Sequence, residues 1–351
     1  MQLEDKMNSK EISVIVQGAI NRKLTPKCLK SIRKHLPGAE IILSTWEGSD
    51  VSGLDYDILV LNQDPGGYKH DFAIYNAARS MNNFNRQLVS TCNGVLKANR
   101  KYSLKLRSDL VLKNSKFLEF WDKFEIQNDE YKLFNHRVLC STLFSREYSC
   151  QCGTGFPTPF HPSDFWFFGL TNDLKDYFCD CPVQSEKEAS NWSFKHSNRC
   201  PYLTPLWKFA PEQFFCVNWV KKYYSSLQFE DWSDWNTQNI ELSNNILYNN
   251  FIFLGIEQSG IYSAKYLDVE SRKNTIQGLI TYQHFQKQYK NYCDKTYQIS
   301  KYKKDYKSKL MLHFNRLISP FYNLKSWLSE LFSVLYYVFA ILIIAWWKNN
   351  D

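Results

Sequence analysis

Apolar positions in this chain come in short, spaced runs. Residues 12–16 (ISVIV) are continuously apolar or small and end at Gln17-Gly18. Residues 41–44 (IILS) and 58–61 (ILVL) repeat the pattern, ending at Thr45-Trp46-Glu47-Gly48 and Asn62-Gln63-Asp64-Pro65-Gly66-Gly67. Between the first two runs, Cys28, Leu29, Ile32 and Leu36 recur at helical spacing up to Pro37-Gly38. Short buried strands alternating with helices predict an α/β fold built on a parallel, doubly wound sheet flanked by helices. Residues 71–100 read as a long helical stretch. Residues 102–112 (YSLKLRSDLVL) read as a fourth strand, its leucines alternating with Ser103, Lys105 and Arg107 until a lone carboxylate, Asp109, interrupts them.

Four strands would thus end in polar loops at one edge, and in open α/β sheets that edge binds ligands. Asp109 beside Ser108 is placed there to hold a divalent cation, or a sugar hydroxyl, against a nucleotide diphosphate. The competing reading is an Asp that caps a turn or pairs with Arg107. Asp64 opens a strong turn signal, whose backbone amides offer a further ligand contact. Glu47 next to Gly48 reads equally as the start of a turn, and Trp46 as a core or lid aromatic.

Farther along, residues 158–170 run from prolines into an aromatic strand, with His161, Ser163 and Asp164 at its mouth. Aromatic faces stack on sugar rings while carboxylates bind their hydroxyls, so this segment suits an acceptor site. Residues 209–220 place Pro211 at a helix start with Glu212 and Gln213 in the first turn. An inverting sugar transfer needs one carboxylate to take the acceptor's proton, and a helix N-terminus is a rigid place to hold it. Glu212 is the first candidate and Asp164 the second, against the plainer readings of a first-turn glutamate and a turn-initiating aspartate. Residues 251–256 (FIFLGI) read as a last strand.

Composition narrows the class. With 44% hydrophobic and 17% aromatic residues, the chain has ample material for a core. It carries neither GxGxxG after the first strand nor a GxxxxGK[ST] loop, which removes the main support for a dehydrogenase or a P-loop kinase. Ten cysteines are too sparse for a disulfide scaffold; Cys150-x-Cys152, Cys179-x-Cys181, Cys200 and Cys216 offer thiolates for zinc, but not at knuckle spacing. Residues 1–11 are polar, with no secretory leader, so a cytoplasmic start is expected. Residues 287–325 hold ten Lys or Arg against two Asp, which accounts for the whole net charge of +8.

The order of these motifs, VIVQGAI, CLKSIRKHLPGAEIILSTWEG, NQDPGG, KLRSDL, HPSDFWFFGL and PEQ, resembles the WavE-like lipopolysaccharide synthesis family over about residues 12–220. The resemblance implies a glycosyltransferase with a GT-A-type, Rossmann-like nucleotide-binding sheet. It implies that Gln17 and Gly18 line the nucleotide pocket, that Trp46 and Glu47 close its side, and that Asp109 stands where such enzymes carry a DxD-type carboxylate. Here the motif is Arg107-Ser108-Asp109, with one Asp where many such enzymes have two, so Mg or Mn at Asp109 is one expectation and direct sugar binding the other.

The domain reading follows. Residues 1–286 form the transferase domain, with a nucleotide-binding half at 12–115 and an acceptor half at 116–286; a basic segment (287–325) and an apolar helix (326–351) complete the chain. Residues 331–347 contain no charge, and at 1.5 Å per residue they span about 25 Å, just short of a bilayer core. A basic stretch with interleaved tyrosines also suits nucleic acid, but the apolar tail favours an anionic membrane surface instead. The expected partners are a nucleotide-sugar donor, a glycan or glycolipid acceptor and the cytoplasmic face of the plasma membrane, with no nucleic acid. The alternative is a membrane-associated glycan or nucleotide-sugar binding protein without catalysis.

Overall fold

The structure is a computed structural model describing residues 7–68, 81–149, 156–190, 207–232, 234–263 and 279–299. In chain order its elements are β1 (Ile12–Gln17), α1 (Thr25–His35), β2 (Glu40–Trp46), β3 (Ile58–Asn62), α2 (Phe84–Leu96), β4 (Tyr102–Arg107), β5 (Leu110–Leu112), β6 (Val138–Ser141), β7 (Arg146–Ser149), β8 (Phe156–His161) and β9 (Trp166–Leu170). They continue as α3 (Thr171–Phe178), α4 (Glu186–Ala189), α5 (Pro211–Tyr223), α6 (Thr237–Asn250), β10 (Phe251–Leu254), α7 (Ile256–Ser259), β11 (Ile261–Ser263) and α8 (Tyr282–Tyr292).

Seven strands form the central sheet in the order β10-β6-β9-β4-β1-β2-β3. β4, β1, β2 and β3 are parallel, as the alternation of runs predicts. β9 departs from a purely parallel sheet by running antiparallel to both β4 and β6. Because of that reversal, the segment leading into β9 lies at the same edge as the carboxyl ends of the parallel strands.

The register fixes which side chains share a face. A Cβ added to Gly94 of α2 would come within 2.5 Å of Ile15 Cγ2, so α2 presses on the face that carries Ser13, Ile15 and Gln17. Ile15 pairs with Lys105 and Gln17 with Arg107, which puts both basic residues of β4 on the α2 face. Lys105 in turn pairs with Phe167 of β9. The opposite face packs Leu104, Leu106 and Phe168 against Phe117 and Trp121.

Two expectations are corrected. Residues 102–112 are not one strand: Ser108 donates its N–H to Gln17 O and its hydroxyl to Ala19 O, which turns the chain, and β5 then pairs antiparallel with β11 in a separate sheet. The helix expected over 71–100 is α2 at Phe84–Leu96, with residues 69–80 outside the described set. The apolar tail (326–351) and most of the basic segment also fall outside it. Among the described residues no helix is long and apolar enough to cross a membrane.

Candidate active site

The parallel strands deliver Gln17, Trp46, Asn62 and Arg107 to one edge. Gln17 is buried and its side-chain carbonyl accepts from the Ser90 hydroxyl at 2.8 Å, so α2 holds it. Gly18 follows with φ +109°, a conformation open to glycine, and Ser108 Oγ would stand 3.7 Å from any Cβ there. The chain therefore crosses closely over the end of β4. Trp46 is partly buried at the end of β2, while Glu47 is exposed and gives its N–H to Asn62 O as the chain turns at Gly48.

Asp64 stands apart. Its carboxylate accepts from Arg86 Nε and Nη2, each at 2.8 Å, and from the Gly66 N–H at 2.9 Å. The Arg86 guanidinium holds it below the usual carboxylate range. β3 is three places from β4 in the sheet, about 14 Å at strand spacing. Asp64 belongs to the outer rim of this edge.

Arg107 and Asp109 combine both readings of their motif. Asp109 is at the strand-end turn, and its two oxygens accept from Arg107 Nε at 3.1 Å and Nη2 at 2.8 Å. The same guanidinium lies 4.3 Å from the centre of the Phe165 ring. The two-point contact with Arg107 takes one lone pair on each oxygen, so a divalent cation at Asp109 would share the carboxylate with the guanidinium, and no group of three His, Cys, Asp or Glu among the described residues forms a metal cluster. Zinc at the cysteines fares no better: Cys150, Cys152 and Cys200 lie outside the described residues, Cys216 is buried, and Cys179 Sγ is directed at Cys92 O, 3.6 Å away.

Asp164 and Glu212 are brought together. Asp164 precedes β9 and is buried, with Oδ1 lacking any hydrogen-bond partner among the described residues. Glu212 sits in the first turn of α5, which Pro211 starts and which the Gln213 side chain ties to Pro159 O at 2.9 Å. The Glu212 carboxyl is pushed from its ordinary 4.5 to about 8, first by burial and then by the negative charge of Asp164. Its own backbone N–H, Arg146 and Arg107 act in the other direction and are outweighed.

Of the remaining residues, His161 was read from the sequence as part of an acceptor site, while Lys105 was not singled out. Lys105 is fully buried beneath the edge and donates to the backbone oxygen of Asp164, which also accepts from Gln87 Nε2 at 3.1 Å. His161 is buried with Nδ1 lacking a partner among the described residues, and burial drives its pKa to about 3, so the ring is neutral. Phe144 and Phe160, at the mouth of the β7–β8 hairpin, have φ of +62° and +57°. Non-glycine residues held there mark a strained, over-determined segment of the kind found around sites. The Phe144 ring stacks on Phe165 at 5.6 Å and carries the Arg146 guanidinium on a face, also at 5.6 Å. Two guanidiniums on two stacked rings thus flank the acidic pair.

Comparison with known proteins adds a family. Residues 12–319, most of the chain, match the family described as WavE lipopolysaccharide synthesis. No curated protein matches the chain. Among solved structures, a crystal structure of an active-site mutant of LgtC is similar over 69% of this chain and 73% of that one, at 13% identity and a TM-score of 0.32. A likeness that weak says nothing about the site.

Proposed function

The chain belongs to the WavE lipopolysaccharide synthesis family and is a glycosyltransferase, and from that premise we propose that it moves one sugar from a nucleotide-sugar donor to a glycan or glycolipid acceptor in that synthesis. The observation that supports this reading is the meeting of Asp164 and Glu212 at the sheet edge, beside Gln17, Gly18 and the Arg107–Asp109 pair.

In a single displacement the acceptor hydroxyl oxygen attacks the anomeric carbon. The bond from that carbon to the diphosphate oxygen breaks, and the diphosphate leaves with the electron pair. The hydroxyl's proton needs a base, and the ionised form of Glu212 takes it; with the carboxyl raised to about 8, that form grows as pH rises from neutral toward 8, and so does transfer. Burial and then the Asp164 charge raise Glu212, and the enclosed Asp164 Oδ1, without a partner among the described residues, would accept from a sugar hydroxyl seated against it. Arg107 and Arg146 bring positive charge to an edge where negative charge develops on the leaving group. No step is routed through a metal.

The basic segment and apolar tail support attachment to an anionic cytoplasmic leaflet, where nucleotide sugars are made. The test is a screen of the purified chain against nucleotide sugars for donor hydrolysis and transfer, with Glu212→Gln alongside. Turnover that disappears in the variant while donor binding survives fits the proposal. Binding without turnover in the unaltered chain would favour the glycan-binding alternative.

A further inference from the structure

Lys105 is the one group at this site whose presence the fold does not explain. It lies on β4 between β1 and β9, in register with Ile15 and Phe167, and none of its surface reaches solvent. Its register partners on the same face, Ile15 and Phe167, are apolar and buried, so the layer it occupies is otherwise an apolar one. A buried ammonium is costly unless something compensates it. The contacts on Lys105 are the backbone oxygen of Asp164 and the faces of Phe167 and Phe178, 5.9 and 5.8 Å from the ring centres.

The compensation comes from the acidic pair. The charged groups facing Lys105 are Arg107 and Asp109 from the end of β4, Asp164 from the loop before β9 and Glu212 from α5. Through Gln87, α2 brings only an uncharged amide to the shared Asp164 oxygen, and α3 brings the Phe178 ring. Arg107 and Asp109 neutralise each other in their two-point contact. What remains against the two carboxyl groups is the Arg146 guanidinium on the Glu212 side and the Lys105 ammonium, the one of the two that lies buried within the sheet.

We propose that Lys105 is a positioning residue for the Asp164–Glu212 pair, fixing the Asp164 backbone from below and supplying buried positive charge that opposes protonation of Glu212. The role rests on the glycosyltransferase reading for its purpose, but not for its physics. Burial lowers the lysine from its ordinary 10.5 to about 7 while the charges of Asp164 and Glu212 pull it back up, so Lys105 and Glu212 change charge over neighbouring ranges. Removing the cation weakens the positive field on the two carboxyls, leaving only the guanidiniums to oppose protonation, and Glu212 then keeps its proton to higher pH.

The experiment follows Glu212 in the full chain without relying on turnover. Urea unfolding is measured from pH 5 to 10 for the unaltered chain, Lys105→Met, Lys105→Arg, Glu212→Gln and the Lys105→Met/Glu212→Gln double variant. The pH dependence that vanishes with Glu212→Gln is Glu212's own. Its midpoint rises by a unit or more in Lys105→Met and stays in place in Lys105→Arg. In parallel, the ascending limb of kcat against pH moves up in Lys105→Met, giving at least tenfold loss at neutral pH that closes toward pH 9, with the donor KM unchanged. An unmoved midpoint, or a loss of kcat equal at every pH, overturns the inference. If Lys105→Met does not fold, reciprocity decides: Glu212→Gln must lower the midpoint of the alkaline component that Lys105 contributes, and no shift overturns the proposal. A chain that turns over no nucleotide sugar sinks the glycosyltransferase reading and leaves these titrations to judge Lys105.

Discussion

Replacing Glu212 by glutamine tests the site through stability as well as activity, and the two move in opposite directions. A carboxyl whose folded pKa lies above its unfolded one is bound more tightly to its proton in the native state. Its contribution to stability is complete below about pH 4.5, declines as pH rises, and is lost above about pH 8. Each unit of difference is worth about 1.4 kcal/mol, so the interval from 4.5 to 7 carries about 3 kcal/mol as an upper bound. Part of Glu212's surface is open and its titration is tied to Asp164, so about 2 kcal/mol is the figure to look for. Glutamine has the same shape and no titration. Glu212→Gln therefore unfolds at higher urea than the unaltered chain at pH 7 to 8, by about 2 kcal/mol, and the two converge at pH 4.5. Transfer, assayed with radiolabelled donor, falls by at least a hundredfold, the lower range for loss of a general base. A variant that is destabilised at every pH, or stability curves that run parallel from pH 4.5 to 8, would refute the argument.

Asp109→Asn breaks the two-point contact with Arg107; the pair is partly exposed, so unfolding changes by no more than about 1 kcal/mol, yet transfer falls, and an active variant removes Asp109 from the site. Because Arg107 holds both Asp109 oxygens, transfer by the unaltered chain persists in excess chelator, and a loss restored by Mn or Mg would show that the Arg107 contact opens for a cation. Gly94→Ala places a methyl 2.5 Å from Ile15 Cγ2 and 3.1 Å from Ser44 Cβ; overpacking costs about 1–3 kcal/mol against a helix gain of about 1, so the urea midpoint drops, and a rise would mean that α2 is not pressed on the sheet. Deleting residues 327–351 converts a membrane-bound chain into a salt-extractable, folded one, and a full chain already soluble in high salt would end the membrane proposal.

The parallel half of the sheet was legible because β1 and β2 are buried on both faces and all three early strands are bounded by turn residues, so β1, β2 and even the half-exposed edge strand β3 show as short apolar runs. The end of β4 was not. Leu110–Leu112 continues the apolar pattern of Tyr102–Arg107, and only the pairing with β11, some 150 residues away, reveals that the chain has turned onto another sheet. Lys105 was passed over for a related reason. Alternation of Ser103, Lys105 and Arg107 with leucines looks like a strand with one wet face, but β4 has a strand on each side and helices over its polar face. The signal that would have found Lys105 is its place in the sheet: a lysine in a central strand has no solvent to reach.

Glu212 shows how far local sequence rules carry and where packing takes over. Proline at the start of α5 with an acid beside it is ordinary helix chemistry, and the positive end of the helix favours the ionised carboxylate by about 0.3–1 kcal/mol, which would lower its pKa. The shift runs the other way, from 4.5 to about 8. Burial and the Asp164 charge outweigh the helix end, its own backbone N–H and two guanidiniums together. None of that reversal is visible in residues 209–220, because Asp164 is contributed by the antiparallel β9 and the buried lysine by β4. The helix start sets where the carboxyl is held; the sheet edge it is held against sets whether it carries a proton, and a base for sugar transfer needs both.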